Sequence, residues 1–258
     1  MAAVLAFPLA GHAEVYVEAY LGGVQAGNAG TNFSVPHDID SPTDFEIARL
    51  NSAGKYKPAV IGGLKIGTWF VKEGFLGYSY PDWMKYVGFY VDFSYHRLDM
   101  PNQKISGFIE EDGEFDGSSC GSWSSQGNVA TLAFMFPARY GFFPNSEVPF
   151  GRLQPYVAVG PALMFSTMRA KFSFTHEDEP FGVSAGSASS TDIALVVDAG
   201  FRWMPLKHVS IDLFYKMRLS SPGFSFDFAD PIEGTRASFT YNPGNVLHSG
   251  HLGVAYHF

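Results

Sequence analysis

The sequence is poor in charged residues and has no long apolar run. Asp, Glu, Lys and Arg make up 16% of its 258 residues, well below the ~25% of an ordinary soluble domain. No stretch approaches the ~18 consecutive apolar residues that a membrane helix needs. Aromatic residues nevertheless make up 16%. A membrane β-barrel fits this composition, because its apolar residues are spread over alternate positions.

Cysteine and basic charge are scarce as well. Cys120 is the only cysteine, which excludes an internal disulfide, and the sequence places no histidine partner beside it for a nucleophile. The net charge of −8 argues against nucleic acid, whose phosphates call for a basic surface. No phosphate-binding glycine loop and no pair of catalytic carboxylates stands out, so we predict no cofactor.

The first segment of the chain lacks basic residues. Residues 1–13 are apolar and end in Gly11-His12-Ala13, which resembles the last part of a secretory signal with its small residues near the cleavage site. We therefore predict a signal-peptide remnant over residues 1–13 and one barrel domain over residues 14–258. This domain is expected outside the cytoplasm.

The strongest pattern present is alternation with a period of two. From Val87 to Tyr95 every second residue is apolar, and the positions between them carry aromatic, small and charged groups. Eight segments alternate in this way, which predicts an all-β fold. We expect a transmembrane antiparallel up-and-down β-barrel of about eight strands, each of the ~9–11 residues that a membrane crossing requires. Pro161 lies within the fifth of these strands and predicts a bulge there.

The connections between the predicted strands alternate in length. Residues 27–56, 98–126, 173–190 and 220–244 form the long ones, and shorter connections lie between them. Long extracellular loops and short periplasmic turns are typical of outer-membrane barrels. An even number of strands then places both termini in the periplasm. Alternating aromatic residues between Phe224 and Tyr241 predict a hairpin above the membrane, with a ten-stranded barrel as the alternative.

A soluble barrel also has alternating strands, so alternation alone does not show which face is outside. The composition of the polar faces does. They are rich in Gly, Ala, Ser and Tyr and carry few charges, which suits a narrow lumen. Both signs of charge occur, so we expect ion pairs that plug the lumen, because an unpaired buried charge is costly. The residues predicted to face the lumen are Glu18, Lys65, Asp92, Arg139, Asp198, Arg202, Asp212, Lys216 and Arg218.

Aromatic residues cluster near the predicted strand ends. Such rings are well suited to a lipid headgroup boundary, and ordinary turn packing is the alternative. They are Trp69, Phe70, Tyr78, Tyr80, Trp83, Tyr86, Tyr140, Phe142, Phe143 and Trp203.

Candidate chemical groups are few. His248 and Ser249 are adjacent and would point to opposite faces of a strand, which disfavours a hydrolytic pair. His248, His251 and His257 do not all share one face, which disfavours a metal site. One acidic run is a candidate for Ca²⁺ or Mg²⁺ beside phosphorylated lipid, with a solvated loop as the alternative. Its residues are Glu110, Glu111, Asp112, Glu114 and Asp116.

Two stretches resemble a known family. Residues 252–258, LGVAYHF, look like the C-terminal strand that the outer-membrane assembly machinery recognises. Residues 154–163, QPYVAVGPAL, are similar to the PYxGxGxG strand of OmpA-like and OmpW-like eight-stranded outer-membrane proteins of the porin family, with Ala158 and Ala162 replacing the usual glycines. The resemblance implies the outer membrane of a Gram-negative-type bacterium. It also implies assembly through the strand that ends in Phe258.

Three functions remain open from the sequence. The first is a non-enzymatic barrel for envelope integrity or surface interaction, which we expect to be a monomer in contact with outer-membrane lipid and lipopolysaccharide. The second is a narrow pore or conduit for small or apolar solutes, as in OmpW-like proteins. The third is a lipid A-modifying enzyme, which the missing catalytic constellation disfavours.

Overall fold

The chain forms β-strands over most of its length. The computed structural model describes residues 14–27, 29–31, 33–34, 45–48, 52–71, 80–111, 114–176, 179–183, 186–229 and 236–258. The predicted signal-peptide remnant and Tyr78 lie outside these residues. Within the described part of the chain, no helix has the length and apolar character needed to cross a membrane.

The described elements are sixteen strands and one short 3₁₀ helix at Asp82–Tyr86. The strands are β1 (Glu14–Ala26), β2 (Ala29–Thr31), β3 (Phe33–Ser34), β4 (Phe45–Ala48), β5 (Ser52–Gly54), β6 (Ala59–Trp69), β7 (Gly88–Arg97), β8 (Met100–Glu111), β9 (Glu114–Arg139), β10 (Leu153–His176), β11 (Glu179–Val183), β12 (Ser187–Leu206), β13 (Val209–Ser220), β14 (Phe224–Ala229), β15 (Arg236–Tyr241) and β16 (Asn245–His257).

Eight of these strands close a barrel. Going round it, β1, β6, β7, β9, β10, β12, β13 and β16 pair in turn, all antiparallel, and the pairing of β16 with β1 completes the ring. The predicted fold of eight antiparallel strands is confirmed. The ten-stranded alternative is wrong, because β14 and β15 pair with each other and with β3 in a separate small sheet.

The predicted strand lengths and loops need correction. β9, β10 and β12 have 26, 24 and 20 residues, about twice the predicted length, and β8 pairs with β9 across most of the predicted loop at residues 98–126. The Gly/Ser-rich segment around Cys120 therefore belongs to a strand. Alternation fades there because both faces of the sheet carry polar residues, while the backbone pairing continues.

Apolar side chains form rows on the outward face. Leu213, Leu252 and Leu21 are partners in register on three neighbouring strands, and each is more than half exposed. Leu195 is also exposed. The predicted direction of these faces, apolar outward and polar inward, is confirmed, and it is the reverse of a soluble barrel.

The predicted bulge at Pro161 is wrong. β10 pairs with β12 through Pro161 without a shift in register. On the other side, pairing with β9 is interrupted only at Gly160 and Pro161 and resumes at Ala162 in the same register. Gly160 has no side chain, so the backbone of β9 can approach it closely, and a Cβ there would overlap the carbonyl oxygen of Phe134.

This close approach predicts the effect of a methyl group at position 160. Gly160→Ala forces the backbones of β9 and β10 apart, and we expect it to lower the free energy of unfolding by about 1–3 kcal/mol, as overpacking does. Urea unfolding in lipid vesicles measures this. Gly23→Ala is the matched control, since its Cβ would meet nothing within 4 Å, and it should change the value by less than about 0.5 kcal/mol. Equal effects would contradict the account.

The barrel lumen as candidate functional site

The nine predicted lumen residues all lie inside the barrel. Each of them is at most 4% exposed. They come from β1, β6, β7, β9, β12 and β13, and register places opposite charges side by side. Glu18 is opposite Lys65, Lys65 is opposite Asp92, and Asp198 is opposite Lys216. Adjacent strands therefore alternate in sign at the same level.

One group of ion pairs is centred on Arg202 and Lys65. Arg202 donates from Nε and Nη2 to the Asp212 carboxylate at 2.8–3.0 Å, and its Nη2 also lies 3.2 Å from Glu18 Oε2. Lys65 Nζ lies 3.1 Å from Glu18 Oε1 and 3.5 Å from Asp198 Oδ2. Glu18 thus joins two basic groups from different strands into one connected cluster.

A second group contains Asp92 and the tyrosine hydroxyls. Lys216 Nζ donates to Asp92, and Tyr20 Oη donates to the same carboxylate at 2.6 Å. Tyr90 Oη donates to Asp198 Oδ2 at 2.8 Å. The sequence analysis placed these tyrosines on the polar faces but missed their role as partners. A carboxylate has two oxygens that accept, and Asp92 uses one for Tyr20 and the other for Lys216. At Asp198 both Tyr90 and Lys65 approach Oδ2, and Oδ1 has no hydrogen-bond partner among the described residues.

Arg139 pairs with Glu14 at the start of β1, a partner that the sequence analysis did not predict. Its Nη1 donates to Glu14 Oε1 at 2.8 Å and to Gln154 Oε1 at 2.9 Å. Trp69 lies beneath it, with the guanidinium carbon 3.9 Å from the indole centre. Trp69 is 2% exposed, so its predicted place at a headgroup boundary is wrong. A Trp inside the lumen gives the buried Arg139 a cation–π partner.

Arg218 is the only basic residue of the nine without a carboxylate partner among the described side chains. Its Nη1 and Nη2 donate to the hydroxyls of Ser249 and Ser94 at 3.2 Å. With Glu14 added to the nine residues, five carboxylates face five basic groups. We call these ten residues the ion-pair network. Its overall balance of charge allows so many ionic groups to be buried together.

A second layer of buried side chains fills the barrel interior at the level where the long strands β9, β10 and β12 extend beyond the ion-pair network. We call it the aromatic plug: Tyr56, Trp123, Phe224, Phe226 and Tyr241, each at most 3% exposed. Phe224 and Phe226 come from β14, and Tyr241 from β15, so the predicted hairpin turns its rings into the barrel mouth. Tyr56 Oη lies 3.2 Å from Tyr241 Oη, and burial raises the pKa of Tyr56 to about 12.

The lumen also holds a serine and histidine pair that the sequence analysis overlooked. Ser249 and His251 share a face, and His251 Nε2 lies 2.8 Å from Ser249 Oγ. Ser249 Oγ also lies 3.1 Å from the Lys216 carbonyl oxygen, a second acceptor for its proton. His251 Nδ1 has no hydrogen-bond partner among the described residues. No described carboxylate therefore orients this histidine in the way that a serine–histidine–carboxylate arrangement requires.

The other candidate groups do not converge. His248 is exposed on the outer face, while His251 and His257 are buried in the lumen. No cluster of three or more potential metal ligands occurs among the described residues. The side chains of Glu110, Glu111, Asp112, Glu114 and Asp116 lie outside the described part, so cation binding there stays a prediction.

The chain was compared with known proteins. No family model matches it. No curated protein matches it either. Among solved structures it is similar to the outer membrane protein OprG from Pseudomonas aeruginosa, with 11% identity, 96% of this chain and 98% of that chain covered, and a TM-score of 0.43.

Two further solved structures are similar. A major outer membrane protein from Thermus thermophilus has 14% identity, coverage of 96% and 100%, and a TM-score of 0.45. Neisserial surface protein A has 14% identity, coverage of 95% and 97%, and a TM-score of 0.39. By its own fold, the chain belongs to the class of closed eight-stranded antiparallel barrels. Its exterior is apolar and its interior is ionic.

The ion-pair network predicts strong coupling between Asp92 and Lys216. Lys216→Met leaves a buried carboxylate without its cation, and we expect a loss of about 3–5 kcal/mol in the free energy of unfolding. The double variant Asp92→Asn/Lys216→Met should lose less than the sum of the two single variants, which urea unfolding measures. Lys207→Met, at an exposed lysine, is the control and should have almost no effect. Strict additivity would show that the pair is not coupled.

Proposed function

We propose that this protein is a non-enzymatic, membrane-spanning barrel of a bacterial outer membrane. Its lumen is closed, and its extended strands carry surfaces for contact outside the membrane. The observation that carries this proposal is the outward apolar belt together with the buried ion-pair network. A barrel of this kind is stable in hydrocarbon and unstable in water, because lipid covers the belt.

The dimensions of the belt support a membrane. On β10 the outward residues are apolar from Pro155 to Phe165, and Thr167 is the first polar one. Ten steps of ~3.3 Å at a tilt of ~40° give a height of about 25 Å, which matches the apolar band of outer-membrane barrels.

Aromatic side chains border this belt at the short-turn rim. Trp83, Tyr140, Phe143 and Trp203 are each at least half exposed, and Tyr86 stacks on Tyr140 with ring centroids 6.0 Å apart. Exposed rings at one level suit a headgroup boundary. In the proposed arrangement this rim faces the periplasm and carries both termini. Phe258, which is exposed on the outer face, is then accessible to the assembly machinery.

The filled lumen supports a non-conducting barrel. Lys216 on β13 pairs with Asp92 on β7, and Lys65 on β6 pairs with Asp198 on β12, so these ion pairs cross the lumen. Several rings stack against the basic groups. Lys65 Nζ, for example, is 3.4 Å from the centre of the Phe214 ring. A solute would have to separate these pairs and also displace the aromatic plug. We therefore favour envelope integrity or surface interaction over solute transport.

The membrane placement predicts where an added charge is tolerated. Leu213 lies near the middle of the belt and Ser189 lies beyond it, and both are exposed on the outer face. Leu213→Arg should lower the free energy of unfolding by about 2–4 kcal/mol in lipid vesicles, and Ser189→Arg by at most about 1 kcal/mol. In a water-exposed barrel the two substitutions would be equally mild, and that result would refute the proposal.

The closed lumen predicts electrical silence. Planar bilayers holding the full chain should show no steady conductance steps. Phe224→Ala/Phe226→Ala, which empties part of the aromatic plug but leaves the ion-pair network intact, should also stay silent, because the network alone blocks the lumen. Steady unitary steps from the wild-type protein would instead support the narrow pore.

A further inference from the structure

We propose that one side of the outer wall binds the phosphorylated headgroup of a membrane lipid. The surface, which we call the basic wall, consists of Arg97 on β7, Lys104 on β8, and Arg169 and Lys171 on β10. It lies just beyond the apolar belt, on the long-strand side. The inference rests on the proposed membrane function and adds a partner to it.

Strand pairing brings these four residues onto one surface. All four are exposed. β9 lies between the other strands, and its outward residues connect them: Arg97 is opposite Asn128, Lys104 is opposite Ser122, and Lys171 is opposite Ser124. Neighbouring strands are ~4.8 Å apart and residues rise by ~3.3 Å along a strand. Lys104 and Lys171 lie two strands apart with an offset of two residues along β9, and so do Arg97 and Arg169, which gives a backbone separation of about 12 Å in each pair. Long basic side chains can span that distance, so each pair can hold a phosphate group between its two members.

The basic charge of this surface is mostly unpaired. Arg97 Nη2 lies 3.2 Å from Asp99 Oδ2. No carboxylate among the described side chains lies within ion-pair distance of Lys104, Arg169 or Lys171. This contrasts with the lumen, where nine of the ten charged groups are paired. A set of unpaired basic groups attracts an anion, and arginine binds phosphate with particular geometric fit.

The position of the wall favours a lipid as the source of that anion. On β10 the outward face changes from Phe165 to Thr167, Arg169 and Lys171 within six residues. An amphiphile whose chains lie on the belt would therefore bring its headgroup to the wall. Gln126, exposed on β9 opposite Arg169, adds a hydrogen-bond donor.

The strand that follows β10 round the barrel lacks this feature. Beyond the belt on β12, the outward residues are Thr191, Ser189 and Ser187, all exposed and all uncharged, and Ser187 is the register partner of Arg169. The basic wall therefore ends at β10 on this side. A surface with a defined edge fits the binding of one headgroup better than a uniform attraction to a charged membrane.

Lipid binding to the full chain in detergent tests the inference. Native mass spectrometry would count bound phosphatidic acid, with diacylglycerol of the same chains as the uncharged probe. We expect Arg169→Gln/Lys171→Gln to weaken phosphatidic acid binding about 30-fold, since each basic side chain near an anionic surface contributes about a fivefold gain in affinity. Lys85→Gln/Lys207→Gln removes two exposed charges at the other rim and should bind like the wild type.

The outcomes separate the alternatives. Equal binding of phosphatidic acid to all three proteins, or equal binding of diacylglycerol and phosphatidic acid to the wild type, would overturn the inference. Inorganic phosphate is the third probe, and binding as tight as that of phosphatidic acid would show a simple phosphate site and also overturn it. A wild-type protein that inserts into vesicles yet fails these tests would refute only the basic wall. A protein that never inserts would refute the proposed function.

Discussion

A charge inside a closed barrel has to find its counter-ion inside the same barrel. The structure depends on this constraint, because within the apolar belt the outward face consists of apolar side chains and leaves no other place for ionic groups. The solution lies in the strand register: Glu18 next to Lys65, Lys65 next to Asp92, and Asp198 next to Lys216. A slip of one residue would turn each of these charges into the apolar surroundings, so the ion pairs help to specify the register as well as to fill the lumen.

The interior is divided into two layers that differ in chemistry. The ion-pair network occupies the level of the apolar belt, and the aromatic plug occupies the level of the extended strands. The hairpin of β14 and β15 contributes three of the five plug residues. Hydrogen bonds and ion pairs impose strict geometry on the first layer, whereas ring packing closes the second. The basic wall outside and the plug inside lie beyond the same edge of the belt.

The sequence predicted the parts of the structure that repeat. Alternation indicated which residues of β7, β13 and β16 face outward, and it placed Asp92 and Arg202 in the lumen. It did not predict the length of β9 and β10. Outward residues are apolar only where they face lipid, so the part of each strand beyond the membrane shows no alternation between apolar and polar residues. It also failed at Trp69 and Glu14, whose places depend on Arg139, a residue more than sixty positions away in each case. Such pairings follow from closure of the barrel, which no local pattern encodes.

The central claim is that the outward leucines touch hydrocarbon. A nitroxide attached to Leu252→Cys, in a Cys120→Ser background and in lipid vesicles, measures this through its collisions with two relaxing agents. The account predicts that collisions with oxygen, which dissolves in the acyl chains, dominate over those with a water-soluble nickel complex. Dominance of the nickel complex would place Leu252 in water and contradict the account.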